Sequence, residues 1–279
     1  MLHFKIETAL TSIRKMVDIE TRQGITQGSI FNYAYNELYE DEEILGMIIT
    51  ARCDIHNDKV RKYSYLPIVP FSLWRERELS KIIKRRKLKS VEKEVKIALE
   101  QHGFSQNTLS IYGIERTIDV VLAKGLSKTK EIELTNKIKK YGALISECSY
   151  KLIYDEFNKD LLQYVKEIIE NKVLEYYFID DVPGYGSCVI NLRDVSHLDS
   201  AVASQISRGI EFDALSGEQK QAIRAINAKT VGGMAYLVGS VRSPFIELIM
   251  QRFADLFTRI GVDDPCADLH FLVCKEGIS

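Results

Sequence analysis

Residues 46–59 read GMIITARCDIHNDK. An apolar run enters a polar cluster of Arg52, Cys53, Asp54 and His56 and leaves through Asn57 and Asp58, a turn-forming pair. The run has the length and composition of a buried strand over 45–55, bounded by the acidic turn EDEE before it and HNDK after it. Successive strand side chains point to opposite faces. Asp54 and His56 would then share one face and Cys53 the other, so His56 is badly placed to activate a Cys53 thiolate. Capping of the turn by Asp54 is the structural alternative to catalysis. A carboxylate directly after an apolar strand is also where sites on sheets are often placed.

Working outward, GSIFNYAYNELY (28–39) is aromatic and leans to β-structure, and RKYSYLPIVPF (61–71) predicts a further strand. Pro67 and Pro70 lack the N–H that a sheet interior needs, so this strand is expected at an edge or ending there. From residue 73 the pattern changes. LWRERELSKIIKRRKLKSVEKEVKIALEQHG (73–103) predicts one long charged helix or two in sequence, stopped at Gly103. Helical periodicity continues to 175, with breaks expected near Gly113, Gly125 and Gly142. Its last segment carries Phe157, Leu161, Leu162, Val165, Ile168, Ile169 and Val173 on one stripe.

Strand patterning then returns. EYYFIDD (175–181), PGYGS and CVINLRDV (188–195) predict a hairpin. SHLDSAVASQISRG (196–209) predicts a short helix capped by Ser196, SGEQKQAIRAIN (216–227) carries a capping box at Ser216 and Gln219, and 234–241 predicts a strand. PFIELIMQRFADLFTRI (244–260) predicts a helix with Ser243 at its cap, Pro244 at its first position and Phe245, Ile249, Phe253, Leu256, Phe257 and Ile260 buried. Residues 4–19 show helical spacing, and DLHFLVCKE (268–276) alternates like a final strand.

Two organisations fit this order: two α+β domains around a helical linker, or one small sheet carrying a long helical insertion. The second is preferred, because the β segments at 28–71 and 175–195 are each too few to bury both faces alone. The expected fold is therefore α+β: a small β-sheet or SH3-like barrel built from residues 24–71 and 175–241, with a helical insertion and a C-terminal helix. In domain terms this is a core of 1–71 plus 176–279 and an insertion of 72–175.

Composition narrows the function classes. The chain has 279 residues, 46% apolar and 28% charged, with 38 basic and 39 acidic side chains and a net charge of −1. Such a chain has no global attraction for nucleic acid or anionic membrane, and any such binding must come from a local patch. Five scattered cysteines fit reduced thiols in a cytosol better than a disulfide framework. The first residues lack the basic and apolar blocks of a signal peptide, and the apolar runs fall short of the ~20 residues of a membrane span. A cytoplasmic protein is expected.

Candidate chemistry lies in three places. Arg52-Cys53-Asp54-x-His56 and Arg193-Asp194 each follow an apolar strand, so Asp54, His56, Arg193 and Asp194 form the candidate catalytic set if the strand ends share a cleft; pairing and turn capping are the alternatives. Lys81, Lys84, Arg85, Arg86, Lys87 and Lys89 form the densest positive patch and the candidate nucleic-acid contact, salt-dependent and indifferent to sequence. Its alternative is a solvated helix face neutralised by neighbouring glutamates. Cys53 and His56 have C-x-x-H spacing, and Cys266, His270 and Cys274 are four apart. Ligands four apart on a strand sit ~13 Å from one another, too far to share an ion. No metal and no cofactor is expected. The PGYGS turn lacks the third glycine and following helix of a dinucleotide fingerprint, and no P-loop or G-x-S-x-G occurs.

The segment QGSIF…LGMIITARCDI…YLPIVPF resembles the small SH3-like barrels of the PemK/MazF toxin family, and also bacterial proteins with a strand ending in CDI. Gly28, Ile30 and the strand at 46–50 match in type, while Ser29 stands where that family has Asp. The resemblance implies a barrel and carries no catalytic residue across. The expected function is a non-catalytic intracellular component that binds a partner protein or nucleic acid, in a bacterial stress or phage-defence assembly. The alternative is a nuclease or hydrolase using the four-residue set above.

Overall fold

Strands from both sides of the helical stretch join in one antiparallel sheet. The computed structural model describes residues 14–19, 24–146, 150–218, 223, 226–227 and 233–258. The strands are β1 (Val17–Asp18), β2 (Ser29–Phe31), β3 (Leu45–Ile48), β4 (Lys62–Pro70), β5 (Tyr176–Val182), β6 (Gly186–Asn191), β7 (Ser196–Asp199), β8 (Ile210–Glu211), β9 (Met234–Ala235) and β10 (Leu237–Val241). The large sheet runs β1-β10-β2-β3-β4-β6-β5, nearly closed and barrel-like, and β8 pairs with β9 separately. The central join is Ile68 opposite Ile190, continued by Val69 opposite Val189.

β4 is the long spine of this sheet. Its far side is shared: β7 pairs with Lys62–Tyr65 and β6 with Ile68–Pro70. β4 is no edge strand, which corrects that half of the expectation, but it does end at Pro70, and ladder parity explains how the prolines are tolerated. Ile49 N donates to Ser64 O at 2.9 Å, and Ser64 N donates to Thr50 Oγ1 at 2.7 Å. Even-numbered β4 residues thus turn their backbone groups toward β3 and odd-numbered ones toward β6 and β7. Pro67 turns its missing N–H to the gap where β7 has stopped and β6 begins, and Pro70 faces β3 beyond the last pair at Ile68.

The sheet is buried on both faces, so its strands read as nearly continuous apolar runs. Alternate residues sort to two clusters. Leu66, Ile68, Met47, Tyr177 and Ile190 face the layer that holds Ile246 and Ile249. Tyr65, Val69, Phe31, Phe178 and Val189 face the helices.

The helices are α1 (Arg52–His56), α2 (Phe71–Trp74), α3 (Ser80–Gln101), α4 (Thr108–Ala123), α5 (Lys128–Ile145), α6 (Tyr150–Ile169), α7 (Ser200–Ile206) and α8 (Phe245–Thr258). A π turn at Arg75–Leu79 joins α2 to α3. The first turns of this stretch lie on the sheet: Trp74 meets Tyr176 at 5.2 Å between ring centres, and Phe71 meets Phe178 at 6.0 Å. α5 packs on α3, α4 and α6, forming an outer layer. Gly103 (φ +73°) stops α3 as expected, and Gly113 (φ +72°) kinks α4. Gly142 breaks nothing. It sits inside α5, where a Cβ would lie 3.3 Å from Ile114 Cγ2, so its bareness serves the close packing of α4 on α5.

Several other expectations change. Residues 52–56 are a helical turn, not strand. Residues 196–199 are β7, and the short helix begins four residues later, with Asp199 rather than Ser196 at its N-cap position. In the aromatic stretch FNYAYNELY, Phe31 and Tyr39 are buried. Leu162, Ile169 and Phe257, predicted inside, are exposed. Of the predicted first helix only the end is described, and Val17–Asp18 there is a strand paired with β10. The predicted strand at 268–276, Ile260, and Gln219 of the capping box lie outside the described residues. Among the described residues no helix is long and apolar enough to cross a membrane.

Candidate anion-binding cleft

The two halves of the candidate catalytic set occupy different parts of the sheet. α1 forms the connection of the β3–β4 hairpin, with Asp54 O accepting from Lys59 N at 2.9 Å. Cys53 and His56 are exposed, and the Cys53 thiol lies 3.6 Å from Asp54 Oδ1. Asp54 and His56 therefore lie at the hairpin tip. Arg193 and Asp194 lie in the β6–β7 loop, beside the middle of β4. Asp194 accepts from Asn36 Nδ2 at 2.5 Å, while Asn36 Oδ1 accepts from Leu38 N at 2.9 Å, a short polar chain that anchors the loop after β2. Arg193 turns away to Glu175 at 2.8 Å. No described hydrogen bond or ion pair joins either half to the other.

The positive patch is less free than its sequence implies. Lys81 pairs with Glu78 at 3.4 Å, Lys87 with Asp160 at 2.6 Å and Arg86 with Glu167 at 3.4 Å. Lys84 reaches the Ser146 carbonyl at 3.4 Å. These contacts tie α3 to its neighbours, chiefly α6. Arg85 and Lys89 are exposed, and no ion pair joins either to an acid among the described residues.

One arginine from the supposed catalytic set nevertheless meets the patch. A surface cleft of about 380 Å³ lies between α3, the end of α6 and the segment that leads into β5. Arg85, Arg86, Lys172 and Arg193 line it, opposed by Glu167 and Glu175. The Arg86 guanidinium lies 4.2 Å over the Tyr164 ring. Burial pushes the Tyr164 phenol up to about 12 although Arg86 pulls it down, so this tyrosine stays a neutral platform at any physiological pH. Ile82, Val173 and Leu174 supply an apolar wall.

The back of the cleft is held from the opposite layer. Arg252 on α8 donates from its two terminal nitrogens to the carbonyls of Asn171 and Val173, clamping the turn that carries Lys172. Asn171 takes φ +57° in that turn, a left-handed conformation that asparagine tolerates. No family model, curated protein or solved structure matches this chain.

Among the described residues no group of three or more His, Cys, Asp or Glu is arranged to hold a metal ion. Cys266, His270 and Cys274 lie outside them. Sequence reasoning missed Lys172, Tyr164 and the clamp at Arg252, because nothing in one dimension brings residue 252 to 171. It also missed a second polar cluster. Tyr185, in the PGYGS turn, donates to Glu43 of the EDEE turn, and burial together with Glu43 raises the Tyr33 phenol above its ordinary range. Tyr33 holds φ +53°, an uncommon state for a bulky residue.

Proposed function

We propose that this protein is a non-catalytic binding component of a larger protein or protein–nucleic acid assembly in the cytoplasm, with the outer helices as the element that meets the partner. The carrying observation is where apolar surface is left bare. Among the described residues, most of the exposed large apolar side chains sit on the helices between β4 and β5, including Ile111, Tyr112, Leu122, Ile132, Leu152 and Leu162. Contiguous apolar surface beyond that of a normal monomer marks interaction sites. Two of these exposed side chains, Ile145 and Leu152, stand on a groove of about 640 Å³ between α4, α5 and α6, with Ile114 and Ala143 also on its walls and Glu115, Asp155 and Glu156 beside Lys139 as its charged lining. A protein partner with an apolar ridge and a basic flank suits this groove.

Nucleic acid is the weaker arm of the proposal, because acids already occupy Lys81, Arg86 and Lys87. A bacterial stress or phage-defence assembly remains the setting proposed, and the PemK/MazF-type likeness enters for the scaffold alone. The hydrolase alternative draws little support from a geometry that leaves Asp54 and His56 at a hairpin tip and gives Asp194 to Asn36.

Purification of the tagged full chain from its native host tests the reading. A stoichiometric complex is expected, and Ile145→Glu with Leu152→Glu should release the partner while the circular dichroism spectrum stays unchanged. A clean monomer that turns over a substrate would contradict it.

A further inference from the structure

We propose that the cleft bounded by Arg85, Arg86 and Arg193 binds a small phosphomonoester whose organic part is flat or apolar. This goes beyond the helical docking proposal and does not depend on it.

The charge decides the ligand's sign. Four cationic side chains line the cleft against two carboxylates. Glu167 is engaged by Arg86 and Glu175 by Arg193, while Arg85 has no ion-pair partner among the described residues. A guanidinium offers five N–H donors in a planar fork, so one carboxylate contact leaves donors over on Arg86 and Arg193. Planar forks match the oxygens of a phosphate better than an ammonium does. Lys172 adds a point charge at the rim, although it also contacts Glu170 at 2.7 Å.

The walls decide the rest of the molecule. The Arg86 guanidinium lies over the Tyr164 ring with half of its side chain exposed, which leaves room for a flat ring against it. Ile82, Val173 and Leu174 stand beside it, where the bulk of the organic group can leave water. A volume of about 380 Å³ falls within the range of small-ligand sites, which run from roughly 300 to 1,000 Å³. The Arg252 clamp on the 171–173 backbone fixes this wall before any ligand arrives, which lowers the ordering cost of binding.

The same geometry disfavours a nucleic-acid strand. A strand needs cations spaced along a track. Here the cations line one short cleft, and the flanking Lys81 and Lys87 are held by Glu78 and Asp160.

Isothermal titration of the purified full chain with AMP, glucose 6-phosphate, adenosine, inorganic phosphate and a single-stranded oligonucleotide tests this. Saturable one-to-one binding of AMP is expected, tighter than that of glucose 6-phosphate, adenosine or inorganic phosphate alone. Binding of AMP in preference to glucose 6-phosphate would identify the flat ring as the recognised part, and the reverse preference would contradict it. Arg85→Ala should weaken the better ligand by roughly tenfold or more, the worth of one charge-assisted hydrogen bond. Arg85→Lys should restore part of the loss, since it returns the charge without the fork. Arg85 is exposed and unpaired among the described residues, so its loss leaves the fold intact, which circular dichroism checks. Absence of saturable AMP binding, indifference of that binding to Arg85→Ala, or binding by the oligonucleotide alone would each overturn the proposal.

Discussion

The rings of Phe31 and Tyr65 meet edge to face, 5.2 Å between centres and 80° between planes, over the bare backbone of Gly46. The Tyr65 hydroxyl donates to the Tyr35 carbonyl at 2.8 Å, so the ring cannot swing aside without losing that bond. A Cβ on Gly46 would lie 2.5 Å from Phe31 Cε1 and 2.9 Å from Tyr65 Cδ2. Both rings are fully buried on the helix-facing side of the sheet. Gly46→Ala should therefore destabilise the protein by about 1–3 kcal/mol, the usual cost of overpacking a core. Urea denaturation reads this as a lower midpoint with unchanged slope; an unchanged midpoint would show that the rings yield freely.

Arg14 and Asp180 join the segment before β1 to the end of β5. Arg14 donates to Asp180 from its backbone N at 2.9 Å and from its guanidinium, with Nη2 at 2.5 Å from Oδ1. Burial alone would raise the Asp180 carboxyl, yet the Arg14 hydrogen bonds outweigh burial and hold it below its ordinary value. A carboxylate depressed in the folded state stabilises fully above the unfolded pKa, ~3.9 for aspartate, and loses that stabilisation as pH falls through the folded value. Wild type should thus be more stable than Asp180→Asn at neutral pH. The gap should narrow as pH drops below about 4, read from denaturation midpoints across pH. A gap independent of pH would refute the pairing.

The described free thiols should differ sharply in reactivity. Cys53 is exposed on α1, whereas Cys188 is buried in β6 and burial pushes its thiol up to about 12, with Asp181 adding to the effect. The thiolate is the reactive species. Maleimide at pH 7.5 followed by peptide mass mapping should modify Cys53 in the native protein and Cys188 only after unfolding. Labelling of both at similar rates would contradict the buried placement of β6.

Much of the fold was legible because burial leaves period and punctuation in the chain. The charged helix at 73–103, the hairpin around PGYGS and the join of the two β segments all followed from apolar spacing and from the need to cover sheet edges. The misreadings have physical causes. Pro67 looked incompatible with a central strand because the direction its missing N–H would face depends on the register of three other strands. Residues 52–56 turn helical at the tip of the β3–β4 hairpin, where the ladder no longer holds the chain extended. The cleft was legible only in pieces: Arg85, Arg86 and Arg193 stood out as separate features, and their meeting needed α3 to pack on α6 and α6 on β5. Buried polar anchors such as Asn36 left no one-dimensional signal, since their partners lie far along the chain.

Amide hydrogen exchange on the full chain, free and within the assembly recovered from its host, tests the docking role most directly. The account predicts slowed exchange on partner binding in α4 and along the α5–α6 groove, with the sheet strands unchanged. Protection confined to the β3–β4 tip around Asp54 and His56, or none in the helices, would contradict it.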